Sequence, residues 1–216
     1  MITCTYQKEF GFDSNIKLIY NGFTAISQQI YPYIYSGKIN ILFAGRFVPQ
    51  KGIPVLINII KRVDEKVFYF HIAGKGPLEE IILQELGNKS NVRITPPIFS
   101  LAQYLSSFDY VFIPSEHEGL NSLSIESSIN KVPVIINDID GLNETLPQNY
   151  PLKVKNNCID EYMTLFTDVI PTIDRVSLID SVYQYSCQKF DIQQMQKQYE
   201  YIYKTGKKYG CFFHEK

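Results

Sequence analysis

The chain has 216 residues, enough for one ordinary domain with an appendage, and a formal net charge of −1. That balance, with no long basic run, gives no electrostatic footprint for nucleic acid. There is no signal peptide and no apolar run able to span a bilayer, and the four scattered cysteines (Cys4, Cys158, Cys187 and Cys211) lack metal-like spacing, so they read as reduced thiols of a cytosolic protein.

Residues 1–36 show no clean periodicity. Ile16-Lys17-Leu18-Ile19-Tyr20 has the composition of a strand and Asn21-Gly22 is a turn signal, but the segment as a whole reads as a linker or fragment. From residue 39 the pattern becomes regular. A strand over 39–45 ends in glycine, and a helix over 51–63 carries Ile53, Leu56, Ile57, Ile60 and Val63 at helical spacing. A second strand covers 67–73, after which Gly74-Lys75-Gly76-Pro77 opens a helix with proline in its first turn. The third strand is 92–95, followed by a short helix around 101–107; the fourth is 110–113 and the fifth 132–136. Beyond residue 156 the chain reads as mostly helical, ending in an amphipathic helix from about Asp191 to Tyr209. Strands alternating with helices predict an α/β fold, a Rossmann-like doubly wound parallel sheet with its ligand at the carboxyl ends of the strands.

The chemistry concentrates after the fourth strand, in Pro114-Ser115-Glu116-His117-Glu118-Gly119-Leu120-Asn121-Ser122 and on to Glu126. A strand, a turn of small side chains and a helix starting near Ser122 make an anion site, because the free N–H groups and the helix dipole both favour negative charge. Glu118 and Glu126 frame that turn; carboxylates accept hydrogen bonds from hydroxyl groups. Phosphate recognition beside hydroxyl recognition points to a sugar nucleotide. Arg46 and Lys51, just past the first strand, could clamp a diphosphate, against the plainer reading of solvated surface charge. For Glu118 the rival is a capping box with Ser115, disfavoured by the poor helix interior Gly119-Leu120-Asn121; for Glu126 it is a dipole-favoured acid in a first helical turn. Gly74-Lys75-Gly76-Pro77 lacks the residues of a phosphate-binding loop and reads as a tight turn. His117 reads as a loop residue and His71 as a satisfied core histidine. No metal-ligand spacing is present. A nucleotide-sugar epimerase or dehydrogenase is disfavoured for want of a glycine fingerprint after the first strand.

Two glutamates seven residues apart within Pro-Ser-x-x-Glu-Gly, followed by Pro133-Val134-Ile135, resemble the donor half of GT-B glycosyltransferases, in particular the retaining family 4 (group 1) enzymes. Tyr20-Asn21-Gly22, Gly45-Arg46 with Lys51-Gly52, Gly74-x-Gly76-Pro77, Asn91-Val92 and Gly141-x-x-Glu144 follow the family's order. The resemblance implies that Arg46 and Lys51 hold the donor diphosphate and that Glu126 binds the ribose. Glu118 with the backbone of Gly119, Leu120, Asn121 and Ser122 would hold sugar and phosphates, and Ile98 would lie against the base. Catalysis would fall to Glu118, Arg46 and Lys51, transferring a hexose from a nucleotide diphosphate sugar, foremost a UDP-sugar, with retention and with no metal or other cofactor. Polysaccharide biosynthesis, with a glycan or lipid-linked acceptor, is the implied setting. Residues 1–36 would then be the end of an N-terminal domain and linker, 37–190 the nucleotide-sugar domain and 191–216 a C-terminal helix and tail. An acceptor domain would be missing, leaving the chain inactive or weakly active alone. A cytoplasmic location follows, with peripheral membrane association through the missing half and self-association left open. The alternative from another class is a non-catalytic nucleotide-sugar-binding or regulatory module. Departures from the family pattern fall at Pro96, Lys131 and Asp140, and at Asn121, where a glycine is usual and asparagine, which tolerates a left-handed backbone, makes the change mild.

Overall fold

The structure, a computed structural model, describes residues 18–206. Cys4, Cys211, residues 16–17 of the first expected strand and the end of the last helix beyond 206 lie outside them. Leu18, Ile19 and Tyr20 do not form a strand. Cys158 and Cys187 are free thiols. Two compact units are present: residues 25–186, and residues 18–24 together with 187–206.

The larger unit holds a sheet of β1 (Ile39–Arg46), β2 (Phe68–Lys75), β3 (Val92–Thr95), β4 (Tyr110–Ile113), β5 (Val134–Asn137) and β6 (Lys153–Val154), in the order β3-β2-β1-β4-β5-β6. Each neighbouring pair is parallel. Consecutive residues Ile41, Leu42 and Phe43 of β1 are all buried, as are all of Tyr110, Val111, Phe112 and Ile113 in β4. Since successive side chains point to opposite faces, both faces of the sheet are covered. This is the expected Rossmann-like arrangement. Its order reverses between β1 and β4, which places the crevice beyond their carboxyl ends.

The helices follow the apolar spacing. In α1 (Ile53–Arg62) the buried residues are Ile53, Leu56, Ile57, Ile59 and Ile60, with a proline in the first turn. The glycine turn after β2 leads to α2 (Glu79–Leu86), and the helix expected around 101–107 resolves into two short 3-10 turns. Then come α3 (Ser122–Ile129), α4 (Ile159–Thr164), which continues into a π turn, and α5 (Arg175–Lys189). Phe166, in that π turn, packs edge-on against Phe68 and Phe112 at 5.3 and 5.8 Å between ring centroids. Truncating so deeply buried a ring would cost about 3–5 kcal/mol. The sixth strand was not expected. Its two residues carry no periodicity, and pairing with Ile136 and Asn137 alone makes it a strand.

Residues 25–36 form no helix or strand but are anchored within this unit. Tyr31 is buried, Gln29 N–H donates to the Gln103 carbonyl at 2.7 Å, and Gln28 Nε2 donates to the Ala102 carbonyl at 2.9 Å. In the smaller unit Phe23 N–H donates to the Phe190 carbonyl at 2.7 Å and Tyr20 meets the Phe190 ring edge-on. Its helix, α6 (Ile192–Gly206), leaves Tyr199, Tyr201 and Tyr203 exposed. No helix among the described residues is long and apolar enough to cross a membrane.

Candidate active site

Two loops flank the switch point, one after β1 and one after β4, and specific contacts close them on each other. After β1 the chain buries Phe47, makes a 3-10 turn at Pro49–Lys51 and reverses at Gly52, whose φ is 69°. Gln50 joins the loops twice: its carbonyl accepts from Glu116 N–H at 2.8 Å and its Nε2 donates to the His117 carbonyl at 2.9 Å. Beneath, Asn137 and Asn157 donate to the carbonyls of Ser115 and Pro114, each at 2.9 Å. The result is an ion pair, Lys51 Nζ to Glu118 Oε1 at 2.5 Å, with only 22% and 11% of the two side chains exposed. Charge-assisted bonds of this length are strong when shielded from water.

The pair borders a cavity of about 310 Å³ whose lining includes Ser115, Leu120, Asn121, Ser122 and Leu123. Asn121 is the N-cap of α3, its side chain accepting from Ser124 N–H at 2.9 Å. The N–H groups of Ser122 and Leu123 precede the first intrahelical bond and have no acceptor among the described residues. They supply donors and a positive dipole end to the cavity. Ser115 is buried and its hydroxyl is without a partner among the described residues.

A second cavity of about 580 Å³ shares Ala44, Ser122 and Leu123 with the first. Arg46, Lys75 and Glu126 line it on the polar side; Pro97, Ile98 and Leu101 supply apolar surface. Parallel register sets Arg46 beside Lys75 at the ends of β1 and β2. Burial raises the Glu126 carboxyl above the usual carboxylate range. Neither Arg46 nor Glu126 has a side-chain partner among the described residues, so both are available to a ligand. The two cavities together offer cations and helix N–H groups to phosphates, carboxylates to hydroxyls, and an apolar wall to a flat ring.

Arg46, Lys51, Ile98, Glu118, Leu120, Asn121, Ser122 and Glu126 all line one cavity or the other. Gly119 lines neither; it is exposed, and its carbonyl lies against Gly141, where a Cβ would come within 2.2 Å of it. Two details refine the sequence reading. Asn121 is extended, at φ −81°, because it caps α3, so its tolerance of a left-handed backbone is not called on; Asn before Ser-x-Ser carried that cap signal. His71 is buried but only half satisfied: Nε2 bonds Asn40 Oδ1 at 2.9 Å while Nδ1 has no partner among the described residues. Glu118 is a loop residue with no capping box at Ser115, and His117 is an exposed loop residue, both as expected. Lys75 and Gln50 were missed. Lys75 could have been found from strand register; nothing in the sequence marks Gln50.

Comparison with known proteins shows what the chain is similar to. A family model described as Glycosyl transferases group 1 matches residues 38–167. An uncharacterized glycosyltransferase of Methanocaldococcus jannaschii, MJ1178, is 32% identical over a match covering 67% of this chain and 42% of the relative. A D-inositol 3-phosphate glycosyltransferase of Jonesia denitrificans is 33% identical, with 47% of this chain and 27% of the relative covered. The chain thus spans less than half the length of these curated relatives. Among solved structures, sucrose-phosphate synthase of Thermosynechococcus elongatus superposes with a TM-score of 0.79 at 18% identity, covering 94% of this chain and 56% of that one. Anabaena HepE, solved with UDP-glucose, gives 0.73 at 17%, covering 88% and 57%. Matched over all six strands of its sheet by the family model, and over most of its length in fold by GT-B glycosyltransferases, the chain belongs to the glycosyl transferases group 1 family.

Proposed function

We propose that this chain binds a nucleotide diphosphate sugar, a UDP-sugar first among them, and serves retaining transfer of a hexose to a glycan, lipid or other acceptor. The observation that carries the reading is the convergence of Lys51, Glu118 and the N–H groups of Ser122 and Leu123, which have no acceptor among the described residues, on one cavity that shares a wall with another bearing Arg46 and Glu126. Diphosphate would take Arg46, Lys51 and the α3 N-terminus; ribose hydroxyls would donate to Glu126, sugar hydroxyls to Glu118, and the base would lie against Ile98. In the reaction the bond from the anomeric carbon to the β-phosphate oxygen breaks and a bond to the acceptor oxygen forms, the acceptor proton passing to the departing phosphate. Arg46, Lys51 and the helix end stabilise the charge that develops on that phosphate, without a metal.

The acceptor would be held by a second Rossmann-like half outside these 216 residues, so the isolated chain binds donor but transfers little. The 42% and 56% coverage of longer relatives supports this. HepE solved with UDP-glucose supports the choice of donor.

The test is thermal unfolding with UDP, GDP, ADP and their glucose conjugates. A ligand at a hundred times its dissociation constant adds about 2.7 kcal/mol, and each kcal/mol moves the midpoint by roughly 2–4 °C at this size. No shift with any of the six would sink the reading. A non-catalytic binding module would show the same shifts, but alanine at Glu118 in the full-length protein would then remove no turnover.

A further inference from the structure

Before any donor arrives, Lys51 and Glu118 are committed to each other. Lys51 Nζ sits 2.5 Å from Glu118 Oε1, and the Glu118 side chain is only 11% exposed. Phe43, Phe112 and Leu120 wall the pair on its apolar side, and a Glu118 side chain only 11% exposed is reached by fewer waters than a surface carboxylate. A phosphate that draws Lys51 away therefore leaves a carboxylate poorly solvated and unpaired, a costly state unless another donor takes the place of the ammonium. Sugar hydroxyls are such donors. A nucleoside diphosphate has none at that position, because its ribose belongs to the other cavity, where Glu126 stands.

We propose that the Lys51–Glu118 ion pair couples the two ends of the donor, so that the site favours an intact nucleotide diphosphate sugar over the nucleotide diphosphate it becomes. This rests on the donor-site reading above and adds discrimination to it. Binding of the full donor exchanges one ion pair for two satisfied contacts, Lys51 with phosphate and Glu118 with sugar hydroxyls. Departure of the sugar leaves Glu118 without a donor while phosphate still holds Lys51. The pair then re-forms by expelling the product. One contact thus serves both donor selection and product release.

Isothermal titration with UDP and UDP-glucose tests this on the wild-type chain, Glu118→Gln, Lys51→Met and the double variant. Wild type should bind UDP-glucose at least about tenfold more tightly than UDP, equivalent to about 1.4 kcal/mol. Glu118→Gln should bind UDP several-fold more tightly than wild type, because no ion pair has to be broken, and should lose most of its preference for UDP-glucose. That gain should vanish in the Lys51→Met background. Unchanged UDP affinity in Glu118→Gln would overturn the coupling. An equal gain with Lys51 absent would overturn it too, revealing plain repulsion between carboxylate and phosphate. Failure of wild type to bind either ligand would instead overturn the donor-site reading itself. Should Glu118→Gln not melt cooperatively, Glu118→Ala carries the same expectations.

Discussion

Gly52 lies so close to Pro114 that a Cβ added to it would come within 1.9 Å of the Pro114 carbonyl oxygen. Its φ of 69° is also one that side chains rarely adopt. The two constraints act on the junction between the loops after β1 and β4, and Lys51 is its immediate neighbour. We predict that Gly52→Ala destabilises the chain by more than about 2 kcal/mol, combining left-handed strain with forced separation of the loops. It should also abolish stabilisation by UDP. Urea unfolding with and without UDP measures both; a variant within about 0.5 kcal/mol of wild type that still binds UDP would show that the junction tolerates a side chain.

Lys131 presents the opposite case. It follows α3 at φ 63°, a conformation suited to glycine. A left-handed residue with a side chain pays about 1–2 kcal/mol, while glycine costs about 0.5–1 kcal/mol in unfolded-state entropy. The Lys131 ammonium also lies 5.0 Å from the Tyr183 ring centre, a modest cation–π contact. Lys131→Gly should therefore be as stable as wild type or more so, by up to about 1 kcal/mol. Denaturant midpoints decide this, and a loss of a full kcal/mol would mean that the ring contact outweighs the backbone.

How much of this was legible beforehand depends on how local each feature is. Runs such as Tyr110-Val111-Phe112-Ile113 announce a buried strand from composition alone, and the five longer strands were placed to within about two residues. β6 has only two residues, and its partner in β5 is distant in sequence, so local pattern could not show it. Glu118 and Lys51 could each be named from motif order. Their 2.5 Å contact could not, because it depends on how Gln50 ties one loop to the backbone of the other. The cap at Asn121 was overlooked for a simpler reason: a missing glycine drew attention to what the backbone tolerates and away from the side chain.

Capping and ligand binding can be separated at Asn121. Its side chain closes the first turn of α3 by accepting from Ser124 N–H, while its position borders the smaller cavity. Asn121→Ala should cost about 1 kcal/mol and Asn121→Gly only a few tenths. Asn121→Asp retains the cap and interacts favourably with the helix dipole, so stability should hold. Yet it puts a negative charge where phosphate is proposed to bind, and UDP affinity should fall about tenfold or more. Equal UDP affinity in Asn121→Asp and wild type would place the phosphates elsewhere.

The last prediction concerns pH and begins with a tautomer. Asn40 Nδ2 donates to the carbonyls of Tyr35 and Lys38, at 3.0 and 2.9 Å, which fixes its Oδ1 as the acceptor. His71 must therefore carry its proton on Nε2, leaving Nδ1 buried and without a partner among the described residues. The rings of Tyr31, Tyr69 and Phe108 surround it. Protonation would bury an N–H without an acceptor and a charge near Arg93. Burial first, and Arg93 second, lower its pKa from 6.5 to about 4. The unfolded chain then takes up a proton near pH 6.5 that the folded chain refuses until about pH 4. Stability from this site is complete above pH 6.5 and falls progressively between 6.5 and 4, by up to about 3 kcal/mol. His71→Gln, which preserves a donor to Asn40 Oδ1 and cannot titrate, should flatten that slope. Urea unfolding of both proteins across pH 4–7 provides the comparison, and parallel slopes would place the titrating group elsewhere.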